Sequence, residues 1–167
     1  MSRVFSFPNP VNEVSARLVA GGVVLMSLAT LLFDQPLLLV PIAYGFVARV
    51  LAGPRFSPLA LLVTEVITPR LAIPERLVPG PPKRFAQGMG AAMSVTAAVL
   101  ALGFGNHGAA YALLAALIAA ATLEAVFAIC LGCQIFSLLM RAGIIPEEIC
   151  AECNDIWSRR RVGASAP

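Results

Sequence analysis

Two Cys-x-x-Cys pairs stand near the end of the chain, Cys130 with Cys133 in "CLGC" and Cys150 with Cys153 in "CAEC", and no other cysteine occurs. Cysteines three apart on a helix share a face, so each pair is a two-thiol claw. Sixteen residues separate the pairs, a spacing that fits a four-cysteine zinc site. The intervening "QIFSLLMRAGIIPEEI" holds a break at Gly143 that lets a second helix fold back over the first. Zinc on Cys130, Cys133, Cys150 and Cys153 would hold down a tail helix too short to bury much apolar surface alone. An iron-sulfur cluster is the second metal option, since it also takes thiolates. The same residues allow a different chemistry, thiol redox or sulfur relay, which needs at least one thiol of depressed pKa, as Cys150 has if it sits near a helix start at Pro146. Four unconnected reduced cysteines are the plain alternative.

What surrounds the sulfurs decides among these. The 167 residues are 59% hydrophobic and only 13% charged, with a mean hydropathy of +0.85, against about 25% charged residues in an ordinary soluble domain. Lipid is the natural place to bury this much apolar surface, and unpaired backbone in lipid demands helices or a closed barrel. Alanine and leucine runs without period-two alternation exclude the barrel. A net charge of +3 with scattered arginines gives no nucleic-acid stripe.

The expected fold is all-α, a polytopic membrane bundle of four spans at about 16–33, 37–52, 85–104 and 109–136. The first apolar run has no small-x-small cleavage site after it and reads as an uncleaved helix. The second is short for a crossing, with Arg49 snorkelling to make up length. The Pro-bounded stretch 57–69 is short enough to be re-entrant or interfacial, and prolines 74, 79, 81 and 82 predict an extended linker within a connection over 53–84. The fourth run outlasts one bilayer thickness and must project. Small residues every fourth position, Gly88, Ala92 and Thr96 in the third span and Ala112, Ala116 and Ala120 in the fourth, permit close helix packing and dimerisation. A tail helix over 142–158 follows, and 159–167 reads as a basic disordered tail.

Arg55, Arg70, Arg76, Lys83 and Arg84 lie on the long connection, and Arg3, Arg17, Arg141 and Arg159 to Arg161 near the ends, while the two short turns carry no lysine or arginine. The positive-inside rule then puts both termini and the connection in the cytoplasm, in a plasma or inner membrane. Cys130 falls about 30 Å along the last helix from Ala110, at the inner boundary, with the other thiols beyond it. All four meet a reducing compartment, where stable structural disulfides are rare.

"RFSPLALL", "KRFAQ", "CLGCQIFSLL" and "PEEICAEC" together resemble the bacterial membrane proteins grouped as domain of unknown function 4395, over nearly the whole chain. The resemblance implies a multi-span membrane fold marked by the cysteine segment and transfers no activity or catalytic residue.

Glu124, about 9 Å deeper than Cys130 along the helix, is an intramembrane ionisable group and so a candidate for function. Its helical rotation aims it away from the thiols, and pairing with Arg17 or Arg49, or staying protonated, is the bland expectation. His107 sits on an outer turn, away from any metal. Gly88-x-Gly90 has no preceding strand and is not a nucleotide fingerprint. Trp157 beside the arginines suits the inner lipid surface and equally suits packing on the thiol cluster. The leading expectation is a metal-stabilised membrane module whose cytoplasmic face docks a soluble partner, with any enzyme lying in that partner. The alternative is a thiol-disulfide oxidoreductase or sulfur-relay component serving a thioredoxin-like or sulfurtransferase protein. A small-solute transporter, with Glu124, Ser94 and Thr96 as its polar groups, comes third.

Overall fold

In a computed structural model that describes residues 7–71, 73–146 and 149, the chain is all-α apart from one short two-stranded pairing. Four helical segments, Glu13–Leu32, Pro36–Arg70, Gly80–Gly103 and His107–Phe127, are long and apolar enough to cross a membrane.

Helix α1 (Glu13–Leu32) starts where Asn12 accepts a hydrogen bond from the Val14 N–H on its side-chain oxygen and Glu13 sits at the positive end of the dipole. Its 20 residues reach roughly 30 Å, one hydrocarbon thickness. A turn at Asp34, whose φ is 49°, leads to Pro36 and then α2 (Leu39–Ala52). Gly53, at φ 66°, breaks that helix. Ser57 caps a second piece made of α3 (Pro58–Leu61), a π-helical stretch Leu62–Ile67 and α4 (Thr68–Arg70). This piece lies along the first half of α1: Leu59 packs at Gly22, and the Thr68 and Ser15 hydroxyls are hydrogen-bonded at 3.0 Å. It therefore runs from mid-helix depth back to the end of the bundle where α1 begins.

Two short strands, β1 (Val11–Asn12) and β2 (Leu77–Val78), pair antiparallel and tie the chain leading into α1 to the approach to α5. Helix α5 (Gly80–Ala98) continues as a π-helical turn to Gly103. It begins earlier than the linker expectation, because Pro81 and Pro82 occupy its first turn, where a missing N–H costs nothing and a fixed φ helps. Helix α6 (His107–Phe127) is capped by Asn106, which accepts from the Ala109 N–H.

The expected continuous helix over 109–136 does not form. Helix α6 stops at Phe127, Ala128 takes a left-handed φ of 58°, and a separate helix α7 (Leu131–Arg141) follows. Within the core, α2 packs on α5 and α1 on α6. Leu39, Leu114 and Ala110 are fully enclosed there. Close approach occurs at Gly90, against the Phe46 ring, and at Gly22. The expected four-residue stripes behave differently: Ala92, Thr96, Ala112 and Ala116 face outward, and Gly88 has nothing near it. Many large apolar side chains, among them Leu25, Tyr44, Leu102 and Val126, are also exposed on the outer surface, as lipid-facing helices require.

Both short turns gather at one end of the bundle, where the Tyr111 hydroxyl donates to Asp34. The start of α1, Gly53, the α4 end of the second piece, β2 and α7 gather at the other, where Arg17 donates to the carbonyls of Ala125 and Val126, and Arg84 to that of Val50.

Candidate functional site

The dithiol sits at the tip of a helix rather than on the flank of one. Cys130 is the N-cap of α7 with extended backbone (φ −91°, ψ 104°), and Cys133 lies in its first turn. The α7 start is held against α5 by small residues: a Cβ on Gly132 would come within 2.5 Å of both Cα and Cβ of Ala86. One turn further, Phe136 meets Phe85 with ring centroids 5.7 Å apart, and Met140 joins them. Cys130 is buried, Cys133 half-buried, and both are free thiols.

A buried ion pair stands beside them. Lys83 in the first turn of α5 donates to Glu124 near the end of α6 at 2.5 Å, with the two side chains 8% and 15% exposed. Burial is deep enough that solvent screens the pair little, and such a pair is costly to break even where it adds little net stability. This overturns two expectations. Glu124 is not aimed away from the thiol region, because the chain folds back at Ala128 and returns the cysteines to it. Its partner is Lys83, not Arg17, which bonds backbone carbonyls, nor Arg49. Arg49 does not snorkel either: at 5% exposure it donates to Gln87 at 2.8 Å and Ser57 at 3.3 Å and lies 4.5 Å over the Phe46 ring. Lys83 is the chain's only lysine, a signal the sequence carried; Gln87, four residues on, carried none.

Electrostatics separates the two sulfurs. The Cys130 pKa is pulled down, first by a hydrogen bond from the Cys133 thiol and then by the Lys83 charge, against the opposing effects of burial and Glu124. Cys133 is pushed up, first by its role as donor to Cys130, then by burial and the neighbouring Cys130 charge. Cys130 is thus the readier of the two to ionise, the division that dithiol exchange uses.

Space divides in the same way. Both sulfurs line an outer groove of about 510 Å³ at the end of the bundle, together with Glu13, Lys83, Gln134 and Arg141. Cys130, without Cys133, also lines a cavity of about 280 Å³ between α1, α2, α5, α6 and α7. Cys150, Cys153 and Trp157 lie outside the described residues, as do most of the tail helix expected over 142–158 and the tail over 159–167. Among the described residues no group of three or more His, Cys, Asp or Glu is placed to hold a metal ion. His107 opens α6, at the end of the bundle opposite the dithiol.

A family model described as "Domain of unknown function (DUF4395)" matches residues 11–141 of the chain. No curated protein and no solved structure matches it.

Proposed function

We propose, for this chain, which belongs to the DUF4395 family, a role as a multi-pass membrane thiol-disulfide exchange protein whose working pair is Cys130 and Cys133. The observation that carries the reading is the start of α7: a Cys-x-x-Cys opening a short helix just past the end of the last long apolar one. Helix N-termini favour the thiolate through their free N–H groups and dipole.

The two positions divide the labour. In the disulfide form, a thiolate of a soluble partner attacks Cys133, the sulfur that opens on the groove alone and is the more exposed. The partner's sulfur bonds to Cys133 as the Cys130–Cys133 bond breaks, and Cys130 leaves with the electron pair, which its depressed pKa favours. A second partner thiol then resolves the mixed disulfide, leaving the partner oxidised and Cys133 as a thiol. The positive-inside distribution of lysine and arginine supports a cytoplasmic groove, where a thioredoxin-like or sulfurtransferase protein is the fitting partner.

The test uses purified full chain in detergent, equilibrated with a soluble disulfide such as oxidised glutathione, with Cys130–Cys133 linkage mapped by mass spectrometry and metal counted on the same reduced sample. Reversible oxidation of that pair, lost in Cys130→Ser and Cys133→Ser, is the expected result. About one zinc or iron centre per chain, with the four cysteines unreactive until it is chelated, establishes the metal-stabilised role for Cys130, Cys133, Cys150 and Cys153 instead.

A further inference from the structure

The cavity behind Cys130 has an unusual combination of walls. Most of it is apolar, Val23, Met93 and Leu117 among them, but its lining also includes Arg49, Gln87 and Glu124, the last near enough to act on Cys130. From Ala116 to Glu124 it follows eight residues of α6, a depth of about 12 Å. Ala116, Leu131 and Ile135 line it and are also exposed on the outer surface, so it opens sideways through the apolar wall of the bundle. Its 280 Å³ sits at the lower edge of small-molecule sites, about 300–1,000 Å³, enough for one substituted ring whose tail stays in lipid.

Arg49 already gives Nε to Gln87 and one Nη to Ser57, and the oxygen of Gln87 is used by Arg49. The Gln87 NH2 group has no acceptor among the described residues. It and the guanidinium are donors in a mostly apolar cavity, suited to a ligand carbonyl. A phospholipid tail would leave them unused.

We infer that the cavity receives a lipid-soluble quinone, which accepts two electrons from the Cys130–Cys133 dithiol and so returns it to the disulfide; the inference rests on the exchange reading above. The Cys130 thiolate adds to a ring carbon of the quinone, forming a C–S bond. Cys133, losing its proton, attacks the Cys130 sulfur; the S–S bond forms as the C–S bond breaks, and the electron pair remains on the ring. With two protons the ring becomes a hydroquinone. Two thiols lose two electrons and two protons, and the quinone gains them. Cys130 is the sulfur shared by groove and cavity, so electrons pass from an aqueous dithiol to a membrane carrier through one disulfide.

The experiment places the full chain, reduced, in phospholipid nanodiscs under anaerobic conditions and adds decylubiquinone. One quinol should appear for each Cys130–Cys133 disulfide mapped by mass spectrometry. Ala120→Leu, which fills the cavity wall, should slow quinol formation at least tenfold. A photoreactive azidoquinone should label peptides from residues 86–93 and 116–121 of the wild type, a readout that does not depend on the variant folding. Exchange with oxidised glutathione but no quinol overturns the quinone and leaves the exchange reading standing. Failure of both overturns the exchange reading. A stable ring adduct without disulfide, or labelling confined to the outer surface and competed by phospholipid, also overturns the quinone.

Discussion

Charge beside the dithiol offers a test whose two arms differ in sign. Lys83 stabilises the Cys130 thiolate and Glu124 opposes it, while the two hold each other at 2.5 Å. Lys83→Met deletes the cation and leaves the carboxylate facing the sulfur; Glu124→Gln deletes the carboxylate and leaves the cation. A unit charge at close range moves a neighbouring pKa by about 1–3 units. At the lower end of that range the thiolate fraction below the pKa changes about tenfold. Intrinsic nucleophilicity runs the other way with a Brønsted slope of about 0.4–0.5, so the observed rate changes roughly three- to fourfold. Pulse alkylation by iodoacetamide near neutral pH, read on the Cys130 peptide by mass spectrometry, should show Lys83→Met slower and Glu124→Gln faster than wild type by that factor. Both variants leave one mostly buried ion without its partner, a disruption of about 3–5 kcal/mol. If loosening of the fold dominated, both would expose Cys130 and both would react faster. Changes of the same sign, or none, refute the electrostatic account.

Gly132→Ala places a Cβ 2.5 Å from the Ala86 Cα and Cβ, atoms that cannot step aside, so α7 must lift from α5 at a cost of about 1–3 kcal/mol; a lower thermal midpoint together with faster Cys130 alkylation is expected. Asn12→Ala removes the bond to the Val14 N–H and should lower stability by about 1 kcal/mol, seen as a shift in the unfolding midpoint with exchange rates unaltered. A membrane-impermeant maleimide should label Cys133 in inverted vesicles and not in intact cells; labelling in intact cells reverses the placement of the groove. Because Cys130 is shifted down, its alkylation rate should level off below the pH at which an ordinary thiol does, and a profile matching a free thiol counts against the thiolate assignment.

The four long helices are legible in the sequence because each is an uninterrupted apolar run bounded by residues with a mechanical effect: Asn12 as a cap, Asp34 to Pro36 and Gly105 to His107 as turns. The site is legible only as a set of residue types. Around Ala128 the chain reads "LEAVFAICLGC", with no proline and no glycine before Gly132 to announce a break, and an alanine at φ 58° forgoes about 1–2 kcal/mol of local preference. Contacts distant in sequence must supply that energy, and the structure names them: Gly132 flat against Ala86, and Phe136 on Phe85. Helical periodicity cannot see such contacts, so it extends α6 through the thiols and rotates Glu124 away from them. The same break returns the dithiol to the ion pair that Lys83, read from the sequence as one basic residue of a connecting segment, makes with Glu124. A helix running straight through residue 128 would carry Cys130 and Cys133 as a lateral claw projecting beyond the bundle, suited to a metal and a returning tail. The bend instead puts Cys130 against both the interior cavity and the groove and Cys133 against the groove alone, which is the arrangement the proposed transfer of electrons between the two spaces requires.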